Sequence, residues 1–277
     1  MKFQNALSTL GEVLCGDEKL FYFTGSSGMV RTVPSKPARV GIWHYQACVF
    51  LENNLPFLVF TRAHSASTSL DMHVQTATIV SEWAAIIERK ERETILVMDS
   101  YYLDSAGRHL LREKGISYIA ALKPSRFKEI TSILKPHVTS SGQSAFMYNR
   151  IHNEACTYHW SMDNDVGKKF VISNAFKVTN RKKKRGGIPI YDAYNASFSA
   201  CDKFNHMKNR TWPFRCGGRS SEHGVSADKM NCWDYYFTAT LFNTWHLFLQ
   251  KEGLVRKEKP WKQFTEELAI GIIRRIP

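Results

Sequence analysis

Between residues 40 and 122 the chain switches repeatedly between strand-like and helix-like spacing of its apolar residues, and this alternation limits its folds more than any other feature. "VGIWHYQACVFLENNLPFLVFTRA" holds two apolar runs, 40–51 and 57–63, divided by the turn-rich "ENNLP", which predicts two neighbouring antiparallel strands. "DMHVQTATIVSEWAAIIERKE" follows with apolar residues at Val74, Ala77, Ile79, Val80, Trp83, Ala84, Ile86 and Ile87, the spacing of a helix, with Asp71 near its N-terminal end. A short apolar run at 94–98 then ends at Asp99. "DSAGRHLLREKG" predicts a helix capped by Asp104 or Ser105 and stopped at Gly115, and "ISYIAAL" predicts another strand. Strand, strand, helix, strand, helix, strand is the order of an α/β core.

From about residue 124 to 180 the pattern changes to short β-like runs, "SAFMYNR", "CTYHWSM" and "KFVISNAFKV", and predicts a β-rich insertion. Beyond it a helix is expected across 195–209, then a helix from Trp233 to Leu249 that is apolar nearly all round, then a last amphipathic helix in "KPWKQFTEELAIGIIRRIP". No internal repeat interrupts the chain.

Charge narrows the partners. Thirty-eight Lys and Arg against 25 Asp and Glu give a formal charge of +13, which favours an anionic partner, nucleic acid or an acidic membrane surface. No apolar run approaches the roughly 20 residues of a membrane span, so a soluble intracellular protein without membrane partners is expected. The six cysteines form no CxxC pair and are expected as free thiols.

A carboxylate at the end of a strand in an α/β sheet stands where such sheets gather ligands, which makes Asp99 a candidate metal ligand; a turn or helix cap is the plainer alternative. Asp202, in "FSACDKFNH", is a second candidate, and a solvent-facing helical aspartate is its plainer reading. Two-metal chemistry on nucleic acids needs carboxylates from distant segments, one ion activating the nucleophile and the other stabilising the leaving oxygen. Five consecutive basic residues, Arg181, Lys182, Lys183, Lys184 and Arg185, suit a nuclear-localisation signal, a phosphate-contacting patch or a solvated loop. "HMKNRTWPFR" mixes Lys208 and Arg210 with Trp212, a combination for phosphate contact and base stacking unless the tryptophan is core. Cys156 and His159 are spaced like ligands but complete no zinc site. Walker A, G-x-S-x-G and dinucleotide motifs do not occur.

The order of several motifs carries a further resemblance. "GDEKLFYFTG" with "VPSKPARVGIW", then "VMDSYYLDSAGRHLLREKGISYIAALK", then "IPIYDAYNASFSACDKFN", with "NRTWPF" and "PWKQFTEELA" after them, resembles the catalytic domain of piggyBac transposases over about 15–275. The resemblance implies one transposase domain over 1–277 with an RNase H-like (retroviral integrase-like) α/β core. The first part of that core spans 38–123, a β-rich insertion 124–188, and a helical completion 189–277. It further implies that Asp99 and Asp202 match the second and third aspartates of a metal-dependent triad. The first aspartate's place then falls at Gln46 or Ala47, where "GIWHYQACVF" has no acid.

A transposase-derived, DNA-associated nuclear protein without strand cleavage is therefore expected, with Asp99 and Asp202 as vestigial ligands. Two alternatives stand beside it: an active Mg²⁺-dependent DNA transposase or nuclease with an atypical ligand, and a protein-interaction module on the old fold. A homodimer is left open.

Overall fold

The computed structural model describes residues 13–22, 30–32, 40–51, 54–64, 72–88, 93–161, 168–175, 189–211 and 227–274. The chain divides into two compact units, residues 1–17 with 68–200 and residues 18–67 with 201–277. In chain order the described strands are β1 (Val13–Tyr22), β2 (Val30–Thr32), β3 (Val40–Phe50), β4 (Pro56–Ala63), β5 (Ile95–Met98), β6 (Tyr118–Leu122), β7 (Ser144–Asn149), β8 (Glu154–Trp160) and β9 (Lys168–Ser173). The described α-helices are α1 (Met72–Glu88), α2 (Ser105–Glu113), α3 (Lys128–Leu134), α4 (Pro189–Ser197), α5 (Ala200–Thr211), α6 (Ala227–Lys251) and α7 (Trp261–Ile273).

In the first unit, the opening residues of β1 pair in parallel with β5, Val13 opposite Ile95 and Gly16 opposite Met98. β5 runs parallel to β6, and β9, β8 and β7 continue the sheet by antiparallel pairing. Successive side chains on a strand point to opposite faces. One face carries Val97, Ile119, Ala121, Ala155 and Val171 onto α4, where Ile190, Tyr191 and Tyr194 close the core. On the other face Gly16 lies against the Trp83 ring of α1, and Tyr102 packs on the same ring with centroids 4.8 Å apart.

Local chemistry sets the element ends. Buried Ile79, Val80, Trp83, Ala84 and Ile87 give α1 its apolar stripe. Asp104 caps α2 by accepting from the Gly107 N–H at 2.8 Å, and Gly115 with φ of 64° ends it, a conformation that favours glycine. Between β7 and β8, the Asn149 side chain accepts from the backbone N–H of Ile151 and His152, the turn chemistry that suits asparagine.

In the second unit β2 and β4 both pair antiparallel with β3, whose other neighbour is β1. The Asn243 amide of α6 clamps β4, donating to the Leu58 carbonyl at 2.7 Å and accepting from its N–H at 3.0 Å. His246 bonds the Pro56 carbonyl at 2.7 Å, and Phe242, Trp245 and Trp261 join α6 to α7.

Strand and helix positions from 40 to 122 follow the sequence expectation, with three differences elsewhere. β1, β2 and α3 are additional elements. The single helix expected at 195–209 is two, α4 and α5, because the chain turns at Phe198 and Ser199, where the Cys15 thiol donates to the Phe198 carbonyl at 3.1 Å. The helix expected to be apolar all round is α6, and it exposes Tyr236, Phe237, Thr240 and Thr244. Cys15, Cys48, Cys156 and Cys201 are buried and unbridged. No described helix is long and apolar enough to cross a membrane.

Candidate active site at the parallel strand ends

The pairing of β1 with β5 ends at Gly16 and Met98, and the next residue of each segment is an aspartate, Asp17 within β1 and Asp99 just past β5. In-register neighbours of a parallel pair share a face. That face is the one on which Cys15 reaches Phe198 and Val97 reaches α4, so both carboxylates belong to the α4 side of the sheet. Asp17 is 8% exposed, while Asp99 is half-buried. The carboxyl end of parallel strands is where open α/β sheets place their ligands.

Tyr194 reports how the two acids are placed. Its side chain is fully buried, and its hydroxyl has no hydrogen-bond partner among the described residues. Burial pushes its pKa far up, and electrostatic interaction with Asp99, Cys15, Asp17 and Tyr191 pushes in the same direction. Both aspartates therefore lie within electrostatic reach of one phenol.

The loop after Asp99 is braced. The Ser100 N–H donates to the Asp99 carboxylate at 2.5 Å, the Tyr102 N–H donates to the Asp99 carbonyl at 3.1 Å, and the Arg126 guanidinium donates to the Tyr101 carbonyl at 2.8 Å.

The other expected site residues that the structure describes are each placed within their own unit. Asp202 is exposed in the first turn of α5, in the second unit. Gln46 and Ala47 are fully buried on β3; the Gln46 amide donates to the Tyr235 hydroxyl and accepts from Asn205 at 2.8 Å. Lys208 is 8% exposed, with its ammonium 4.9 Å from the Tyr235 ring and 5.9 Å from the Phe21 ring. Burial lowers its pKa to about 8, against the opposing pull of Asp234. Arg181, Lys182, Lys183, Lys184, Arg185 and Trp212 lie outside the described residues, as does the Arg210 side chain. Among the described residues no group of three or more His, Cys, Asp and Glu is placed to hold a metal ion.

Asp17 is the functional candidate that sequence reading missed. It lies in "GDEKLFYFTG", where a glycine and three adjacent charges mask the strand pattern of β1.

The architecture as a whole has a counterpart among solved structures. The fold resembles that of a piggyBac transposase. The chain superposes on a piggyBac transposase in a synaptic complex with hairpin DNA with a TM-score of 0.70 at 15% identity, covering 91% of this chain and 51% of that one. It thus spans about half the length of the solved piggyBac chain. No family model and no curated protein matches the sequence.

Proposed function

We propose that this chain is a transposase-type DNA-processing domain in which Asp17 and Asp99 hold a divalent cation and support cleavage of a DNA strand. The observation that carries the reading is the pair of aspartates that follows Gly16 and Met98 on adjacent parallel strands. The order β1, β3, β4, α1, β5, with β5 parallel to β1, supports an RNase H-like core for it. Inactivity was expected because β3 offers only Gln46 or Ala47; Asp17 supplies the acid from β1 instead, and Gln46 is engaged with Tyr235 and Asn205.

Mg²⁺ is commonly held by one or two carboxylates together with waters and substrate phosphates, and the Asp17 and Asp99 pair fits that requirement by number, charge and placement. When bound, such an ion activates water and stabilises charge on phosphoryl oxygens. The chain's own contribution is to keep two negative charges side by side: Gly16 seats β1 against Trp83, Ser100 orients Asp99, and Arg126 fixes the following loop. Asp202 remains the third acid by sequence order. The +13 charge and the DNA carried by the solved neighbour support DNA as partner, with the nucleus as compartment.

The test is incubation of the chain with supercoiled plasmid and Mg²⁺ or Mn²⁺. Nicking that disappears in Asp17→Asn and in Asp99→Asn is expected. A second reading, DNA binding with cleavage lost, is favoured by the exposed position of Asp202 and the lack of a described three-acid group. Salt-dependent DNA binding without nicking in either metal would select it, and absence of both activities would sink both readings.

A further inference from the structure

The α4 face of the sheet does not end at the acid pair. Lys169 on β9 stands two residues from Val171, on the same face, and its ammonium lies 5.3 Å from the Tyr194 ring and 5.7 Å from the Phe198 ring. His159 on β8 is the cross-strand partner of Lys169, and its ring lies 4.5 Å from that of Tyr191. His159 Nδ1 is buried and has no hydrogen-bond partner among the described residues, so only its Nε2 edge is available to a ligand. Both side chains are half-buried, seated on the aromatic floor of α4 but reached by solvent. Tyr194 thus has Asp17 and Asp99 within electrostatic reach and Lys169 over its ring.

We infer that Lys169 and His159 form a seat for a backbone phosphate of the DNA strand that lies against the acid pair. This rests on the DNA-processing reading above and adds to it the part of the surface that tracks the strand. Two carboxylates repel a polyanion unless a cation intervenes, so a strand held at Asp17 and Asp99 needs fixed positive or N–H donor groups on the adjoining phosphates. Lys169 supplies a charge and three donors, and His159 an imidazole donor, at the spacing of one cross-strand pair. Their aromatic floor limits where they can swing, so less freedom is lost when a phosphate is bound.

β9 contains its own control. Lys168 is the preceding residue, carries the same charge, and points to the opposite face, where its ammonium sits 3.5 Å from the Trp160 ring. The experiment is a salt titration of binding to a duplex oligonucleotide by the full chain and by Lys169→Gln, Lys169→Arg and Lys168→Gln. Loss of one phosphate contact lowers the slope of log K against log salt by about 0.9 on duplex DNA. That loss is expected for Lys169→Gln, with the slope restored in Lys169→Arg and unchanged in Lys168→Gln. Equal loss in Lys168→Gln and Lys169→Gln, or loss in neither, overturns the seat while leaving DNA binding intact. A wild-type chain with no salt-dependent binding removes the DNA reading, and the seat with it.

Discussion

Gly16 and Trp83 occupy adjoining space so closely that a β-carbon on Gly16 would lie under 3.0 Å from three carbons of the indole ring. The ring is fully buried and packed on Tyr102, so it has little room to give. Gly16→Ala should destabilise the chain by about 1–3 kcal/mol through overpacking, seen as a lower urea midpoint. Because Gly16 precedes Asp17, the same variant should weaken divalent-metal binding more than an Ala placed at an exposed glycine such as Gly271.

Glu154 is 2% exposed and is held by the Arg108 guanidinium and the Tyr118 hydroxyl, with Arg112 at 3.8 Å. Burial alone would raise its pKa, but the bonds from Arg108 and Tyr118 and the charges of Arg108 and Arg112 outweigh it and hold the carboxyl below its usual value. A carboxylate with a depressed folded pKa adds stability that is present above the unfolded value, about 4.3, and is lost as pH falls through the folded one. Glu154→Gln should cost about 3–5 kcal/mol at pH 7, since it leaves the guanidinium facing no charge, and should flatten the acid limb of stability against pH. Urea unfolding at pH 7 and pH 3.5 checks both.

Lys208 adds a dependence of the same sign at higher pH. Its folded pKa of about 8 lies below an unfolded value of about 10.4, so between these pH values the unfolded chain binds more protons and stability rises with pH. The stability of the wild type relative to Lys208→Met should therefore move in the wild type's favour from pH 7 to pH 9.5. A difference that stays constant over that range would contradict a buried, proton-releasing Lys208.

Asn243→Ala should leave the Leu58 N–H and carbonyl without their side-chain partner beneath α6. Each unsatisfied buried group costs about 1–3 kcal/mol, so a loss of several kcal/mol is expected in thermal unfolding. Asn243→Asp should recover the N–H bond alone and fall between the two.

The elements between 40 and 122 were legible because their apolar spacing and caps are local: Trp83 and Ile87 keep helical period, and Asp104 and Gly115 mark the ends of α2. β1 was illegible because "VLCGDEKLFY" places a glycine and three charges in the middle of the strand, and the parallel pairing that orders it comes from residues some eighty positions away. That gap hid half of the acid pair. The break between α4 and α5 has no glycine or proline to announce it, and it falls where the Cys15 thiol meets the Phe198 carbonyl from a segment far away in sequence. The packing of the Lys208 ammonium on Tyr235 and Phe21 was not legible either, because composition does not show which rings a lysine meets.

The central claim is that Asp17 and Asp99 act together on one divalent cation, and calorimetric titration of the chain with Mn²⁺ tests it most directly. The wild type should bind the ion, Asp17→Asn and Asp99→Asn should each lose binding at least tenfold, and the double variant should be little worse than either single one. Undiminished Mn²⁺ binding by Asp17→Asn would contradict the account.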